Sequence, residues 1–394
     1  MKVFDDVERS DTSEAAYSEP TFTFLNRVGG AYWQRTRDLI EGWLDRAPSE
    51  SVPDLVGRLR STDDRAFHGA FLELYIFETL TRLGFAVEPH PEIAVSRRPD
   101  YLATKGTEKF FLEATSASDS DKKVAAARRT NAVFDAIQRV NSPNFFLDLT
   151  MTSEGDTSPS AAQLRSRLET WLASLDPDQV CEAINHSDYW TSAPRHTWTD
   201  GQWRIDFKAI PKSPGSRGLP GPVIGLYGPG KAYVLDDRSS IYRKVMDKAS
   251  AYGDLGVPYI VAIRTQTFAS SDTTILDALF GSEQLTVSLA RGPASAQMTR
   301  KQNGVWIGPN GVRNTRVSGV LTADWLHPTT VPHNVPTLWH NPLAGHPISV
   351  SSTPWRHVIV DDTGNLKYID PFVSPAAFFD LPQDWPGPEP PFPD

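Results

Sequence analysis

The chain has 394 residues, 39% hydrophobic and 22% charged, enough apolar content for one large core or two moderate ones and too much for a disordered chain. Its net charge of −9 argues against indiscriminate nucleic-acid affinity, while leaving room for a local basic groove. A single cysteine, Cys181, allows no disulfide within the chain, which fits a reducing cytoplasm, and no apolar run is long enough to span a membrane.

The opening MKVFDDVERSD is acidic and does not read as a signal peptide, and residues 1–30 read as a loosely ordered segment. Tyr32, Trp33, Leu39, Ile40, Trp43 and Leu44 suggest a first helix, and Leu55, Val56 and Leu59 a short one after Pro53. Ser61-Thr62-Asp63-Asp64 offers side-chain oxygens to cap a longer helix over about 65–83, with Gly84 as its stop. That helix is apolar nearly all round (Phe67, Phe71, Leu74, Phe77, Leu80), the pattern of a helix buried on most sides. Strands are expected at 85–88, 100–103 and 109–115, then a helix over about 118–140 and a buried strand at 144–151.

In the second half, 161–175 and 239–252 read as helices, and 203–210, 223–227 and 258–263 as strands, together suggesting one extended sheet in continued α/β layers. Beyond about 285 the chain turns rich in Pro, Gly and His with short β-type runs, and 382–394 reads as an unpacked Pro-rich tail. The expected domains are an α/β unit at 31–285 and a β- and loop-rich extension at 286–381. Gly225–Lys231 has the spacing of a phosphate loop, but Ala232 replaces its Ser/Thr and strand-like residues come next, so a glycine-rich turn is the better reading. His327, His333, His340 and His346 have no metal-binding spacing.

Pro99 lacks an N–H and suits the first position of a strand, which places Asp100 at its start. Glu113 and Thr115 share one face of the next strand, Leu112 and Ala114 the other. A carboxylate inside FFLEAT is costly to bury without a partner. A divalent cation would supply one; exposure on an edge strand, or pairing with Arg97 or Arg98, is the alternative. In the preceding helix Glu73 and Glu78 both lie against apolar neighbours, and periodicity does not choose between them; a helix acid paired with a buried arginine is the alternative there. Carboxylates held together repel unless a cation sits between them, and such oxygen ligands suit Mg²⁺ or Mn²⁺.

The order Glu73, then Pro99-Asp100, then Glu113-Ala114-Thr115, on an α-β-β-β-α-β succession over about 64–151, resembles the PD-(D/E)XK nuclease superfamily. The resemblance implies a restriction-endonuclease-like α/β fold: a mixed central sheet flanked by helices, here with an extra β-rich C-terminal region. It implies a cytoplasmic Mg²⁺- or Mn²⁺-dependent endonuclease that hydrolyses DNA, in defence against foreign DNA or in its processing. Asp100, Glu113, Glu73 and the main-chain carbonyl of Ala114 would hold the cation. Many members pair to cut two strands, so a homodimer is open. Thr115 stands where the family has its lysine, and threonine carries no positive charge. Two lysines on neighbouring elements could replace it. Lys122 shares a helical stripe with Ala126, Arg129, Val133 and Ile137; Lys248 comes seven residues after Ile241 and adjoins Ala249. Residues 95–129 carry eight Lys or Arg against five acids, and Arg97, Arg98, Lys123 and Arg129 are the candidate nucleic-acid contacts. The alternative is a nuclease-like binding module for nucleic acid or protein, with its lysine lost and its acids vestigial.

Overall fold

The computed structural model describes residues 1–116, 121–186, 189–219, 221–229, 237–265, 272–286, 297–349 and 353–388. The chain divides into two compact units: one of 1–11, 20–118 and 235–390, the other of 12–19, 119–234 and 391–394.

The first unit is built on an eight-stranded mixed sheet. Its strands run in the spatial order Ala86–Pro89, Tyr101–Lys105, Glu108–Ser116, Tyr259–Thr265, Gly319–Asp324, Thr337–His340, Arg356–Val360 and Leu366–Ile369. The first three pair antiparallel, the second and third joined by a tight turn at Gly106-Thr107. Glu108–Ser116 then pairs parallel with Tyr259–Thr265, with Glu113 opposite Val261. The helix Asp64–Arg82 covers one face. Its N-cap is Asp63, whose side chain accepts from the Arg65 N–H. Its end is a left-handed Gly84 (φ 83°), with Gly84 N–H on Thr81 O and Phe85 N–H on Leu80 O. The residues of this helix pack with Leu112, Ala114, Ile260, Ala262, Leu321 and Ala323. The alternate residues of the same strands, Phe111, Val261, Ile263 and Val320, pack on the other face with Ile241 and Val245 of the helix Asp237–Ala249.

The second unit has its own four-stranded sheet, in the order Arg195–Asp200, Trp203–Pro211, Phe145–Ser153 and Ile224–Pro229. Phe145, Leu147, Leu149, Ile205 and Phe207 form its core with Val133 and Ile137 of the helix Asp121–Gln138 and Leu164 and Leu168 of the helix Ala161–Ala173.

Several expectations need correction. The strands expected in a single extended sheet are divided, among the described residues, between an eight-stranded and a four-stranded sheet, and the boundaries at 31–285 and 286–381 do not coincide with the units. The strand expected at 144–151 forms, but it pairs inside the second unit. In the first unit the strand Glu108–Ser116 is instead succeeded by the helix Asp237–Ala249 and the strand Tyr259–Thr265. The β-type runs beyond 285 are largely strands of that sheet rather than an appended layer. Part of the first 30 residues is pinned: Val3 and Phe4 are buried and donate their N–H groups to Glu41 Oε1 at 3.0 and 2.9 Å. The Pro-rich tail packs as far as it is described. Trp385 Nε1 donates to Pro328 O at 3.1 Å, and Arg35 donates to Pro386 O. Residues 230–236 of the glycine-rich loop and 389–394 of the tail lie outside the described residues.

Candidate active site

Asp100 and Glu113 meet where two strands of the first unit begin to pair. Tyr101 lies opposite Leu112, so the residue before the one and the residue after the other come together. Glu113 is buried at 5% exposure on the face that carries the helix Asp237–Ala249. Asp100 is half-buried. The Asp100 N–H donates to Glu113 Oε2 at 3.2 Å, and the Ala114 N–H donates to Asp100 Oδ2 at 2.7 Å. In a strand a residue's N–H and C=O leave the backbone on the same side, so the Ala114 carbonyl also points toward Asp100. Burial first, then the negative charges of Glu73 and Glu113, hold the Asp100 carboxyl well above the usual carboxylate range. The Ala114 N–H and the Lys248 charge act the other way and offset only part of this.

Lys248 comes to this site. The stripe of Ile241, Val245 and Ala249 is buried, and Lys248, beside it, carries its ammonium to Glu113 Oε1 as a hydrogen-bonded ion pair. The positive charge that Thr115 lacks thus arrives from the helix. Tyr252, four residues on, donates its hydroxyl to Glu113 Oε2 at 2.7 Å, with the Arg98 carbonyl a second acceptor at 3.0 Å. Burial first, and then Glu113, push the Tyr252 pKa up, so this hydroxyl stays a donor. The sequence showed Tyr252 only as an apolar stripe member; the signal was that a buried tyrosine hydroxyl needs a partner.

The helix acids both take arginines. Glu73 is held bidentately by Arg58, Nη1 to Oε1 at 2.6 Å and Nη2 to Oε2 at 2.5 Å. Glu78, 1% exposed, is bound by Arg46 and Arg82. Glu73 lies close enough to raise the Asp100 pKa by its charge, yet both its oxygens are engaged, so the expectation of a third cation ligand meets an ion pair instead. Among the described residues no three His, Cys, Asp or Glu side chains are placed to hold a metal. Arg58 was not legible as its partner, because the pair spans two helices and no local pattern marks it.

Lys122 departs from expectation. It is exposed on the helix Asp121–Gln138 of the second unit, whose apolar stripe begins only at Val133. Lys123 is exposed on the same helix, and Arg129 donates to the Gly155 carbonyl at 3.1 Å. Arg97 and Arg98 are exposed just before Asp100 in the first unit, Arg98 paired with Glu92 at 2.8 Å.

Asp100, Glu113 and the Ala114 carbonyl are the oxygen donors that could hold a divalent cation here, since Mg²⁺ and Mn²⁺ bind through one or two carboxylates and keep waters and substrate phosphate as their other ligands. No protein-family model, curated protein or solved structure matches the chain.

Proposed function

We propose that the protein is a Mg²⁺- or Mn²⁺-dependent nuclease of the PD-(D/E)XK type that hydrolyses DNA phosphodiester bonds. The observation that carries the reading is the lysine at the acids: Lys248 on Glu113, with Asp100 beside it. The element order around them supports it. In the first unit a helix, three antiparallel-paired strands, a helix and a strand parallel to the third succeed one another, with the second unit inserted after the third strand. This succession resembles that of the restriction-endonuclease-like core, with the helix Asp237–Ala249 and the strand Tyr259–Thr265 in its last two places.

In this reading Asp100, Glu113 and the Ala114 carbonyl hold the cation. Bound there, it would lower the pKa of a coordinated water and shield the scissile phosphate. Lys248 orients the attacking water and balances charge growing on the phosphate, which the lysine of the motif does elsewhere in the family. Glu73, held by Arg58 through both of its oxygens, acts on Asp100 through its charge rather than as a further ligand. Arg97 and Arg98, exposed and two to three residues before Asp100, would contact the phosphate backbone.

The test is incubation of the protein with supercoiled plasmid and with single- and double-stranded oligonucleotides in Mg²⁺, Mn²⁺ or EDTA. Cleavage is expected only with metal. It should vanish in Asp100→Ala and Glu113→Ala, and in Lys248→Met fall by about 10²–10⁴-fold, the usual worth of a positioned proton-handling group. Wild-type protein that cleaves nothing under any condition, or cleavage that persists in both acid variants, overturns the proposal and leaves a binding module.

A further inference from the structure

We propose that Tyr252 is a positioning residue that presents Glu113 to the divalent cation, an inference that rests on the metal-site reading above. The two oxygens of Glu113 are held differently. Oε2 accepts from two parts of the surrounding frame, the Tyr252 hydroxyl at 2.7 Å and the Asp100 backbone N–H at 3.2 Å. Oε1 accepts from Lys248, a flexible side chain with 30% of its surface open to solvent. One oxygen is therefore fixed and the other is held by a group that can yield. A carboxylate held this way cannot rotate freely, and its orientation is set before any cation arrives.

The hydroxyl can do this because Tyr252 is itself fixed. It is 4% exposed, and its ring meets Tyr259 edge-on, with centroids 5.7 Å apart. Arg316 Nη1 donates to the Tyr252 carbonyl at 2.8 Å. Tyr259 in turn donates its hydroxyl to the Lys248 carbonyl at 3.3 Å, which ties the lysine's backbone to the strand beside Glu113. The second acceptor of Tyr252, the Arg98 carbonyl, lies two residues before Asp100. A single side chain thus bridges the Glu113 strand and the segment leading into Asp100, from the same stretch that carries Lys248. Outer partners that orient a ligand in this way are commonly worth 10–100-fold in metal affinity.

Tyr252→Phe tests the role, because it keeps the ring packing and removes only the donor. Mn²⁺ would be titrated calorimetrically into wild type, Tyr252→Phe and Glu113→Gln, with urea unfolding of each alongside. The expected result is a Kd for Mn²⁺ about 10–100-fold weaker in Tyr252→Phe. Saturating Mn²⁺ should then restore its oligonucleotide cleavage to within about threefold of wild type, since the hydroxyl touches no reacting atom. A variant that loses stability but binds Mn²⁺ as wild type does gives the hydroxyl a structural role and overturns the inference while sparing the site. A wild-type protein whose Mn²⁺ binding is absent, or is unchanged in Glu113→Gln, overturns the metal-site reading and the inference together.

Discussion

At the scale of single residues, the first unit buries carboxylates and assigns each a cation. Glu73 is 8% exposed and depends on Arg58 for both of its oxygens. Removing one partner of such a pair leaves an uncompensated charge, so Arg58→Ala should cost about 3–5 kcal/mol, read as a lower urea midpoint. The double variant Arg58→Ala/Glu73→Gln should recover part of that loss; no recovery would mean that Arg58 acts through packing alone. The acids of this region were legible because a Glu within FFLEAT and an Asp after Pro99 are out of place unless something uses them. The lysine was half legible. Helical periodicity nominated both Lys122 and Lys248, and could not reveal that the apolar stripe behind Lys122 covers only the later turns of its helix. Arg58 and Tyr252 were invisible as partners, since sequence periodicity reports which face a residue shares and not what it meets on another element.

At the scale of elements, local signals held where caps and breakers were strong. The helix between Asp63 and Gly84 forms with both ends as its residues dictate. Pairing was the harder matter: a run such as NFFLDLTM announces a buried strand without naming its sheet. The late strands of the first sheet and the loops between them carry half-buried histidines with a cost at low pH. Burial first, then the charge of Arg264, lowers the His327 pKa to about 4; burial first, then neighbouring His357, lowers that of His340 to about 4. The unfolded chain, with histidines near 6.5, binds protons that these two refuse. Their contribution to stability is therefore complete above pH ~6.5 and is lost as pH falls toward 4. Each should account for on the order of 3 kcal/mol over that window. Urea unfolding across pH 7.5 to 4 measures the fall, and His340→Gln should flatten it; an unchanged pH profile in that variant would deny His340 the role.

At the scale of the whole molecule, the decisive fact is that each unit closes its own apolar core. Unfolding should therefore depart from a two-state transition, with a calorimetric enthalpy larger than the van't Hoff value. Leu149→Ala, in the core of the second unit, should lower one component by about 2–5 kcal/mol and leave the other in place. A single transition shifted as a whole would show that the units unfold together. The sequence concealed this division because the inserted segment has the same α/β texture as its host, with no compositional break at 119 or 234. The insertion also places Glu113 and Lys248 135 residues apart along the chain. On a ribosome adding 5–20 residues each second, the acids would emerge roughly 7 to 27 s before the lysine that meets them. For that interval the nascent chain carries two close carboxylates without their ammonium, so synthesis from end to end delays the assembly of the site until the inserted unit has been made.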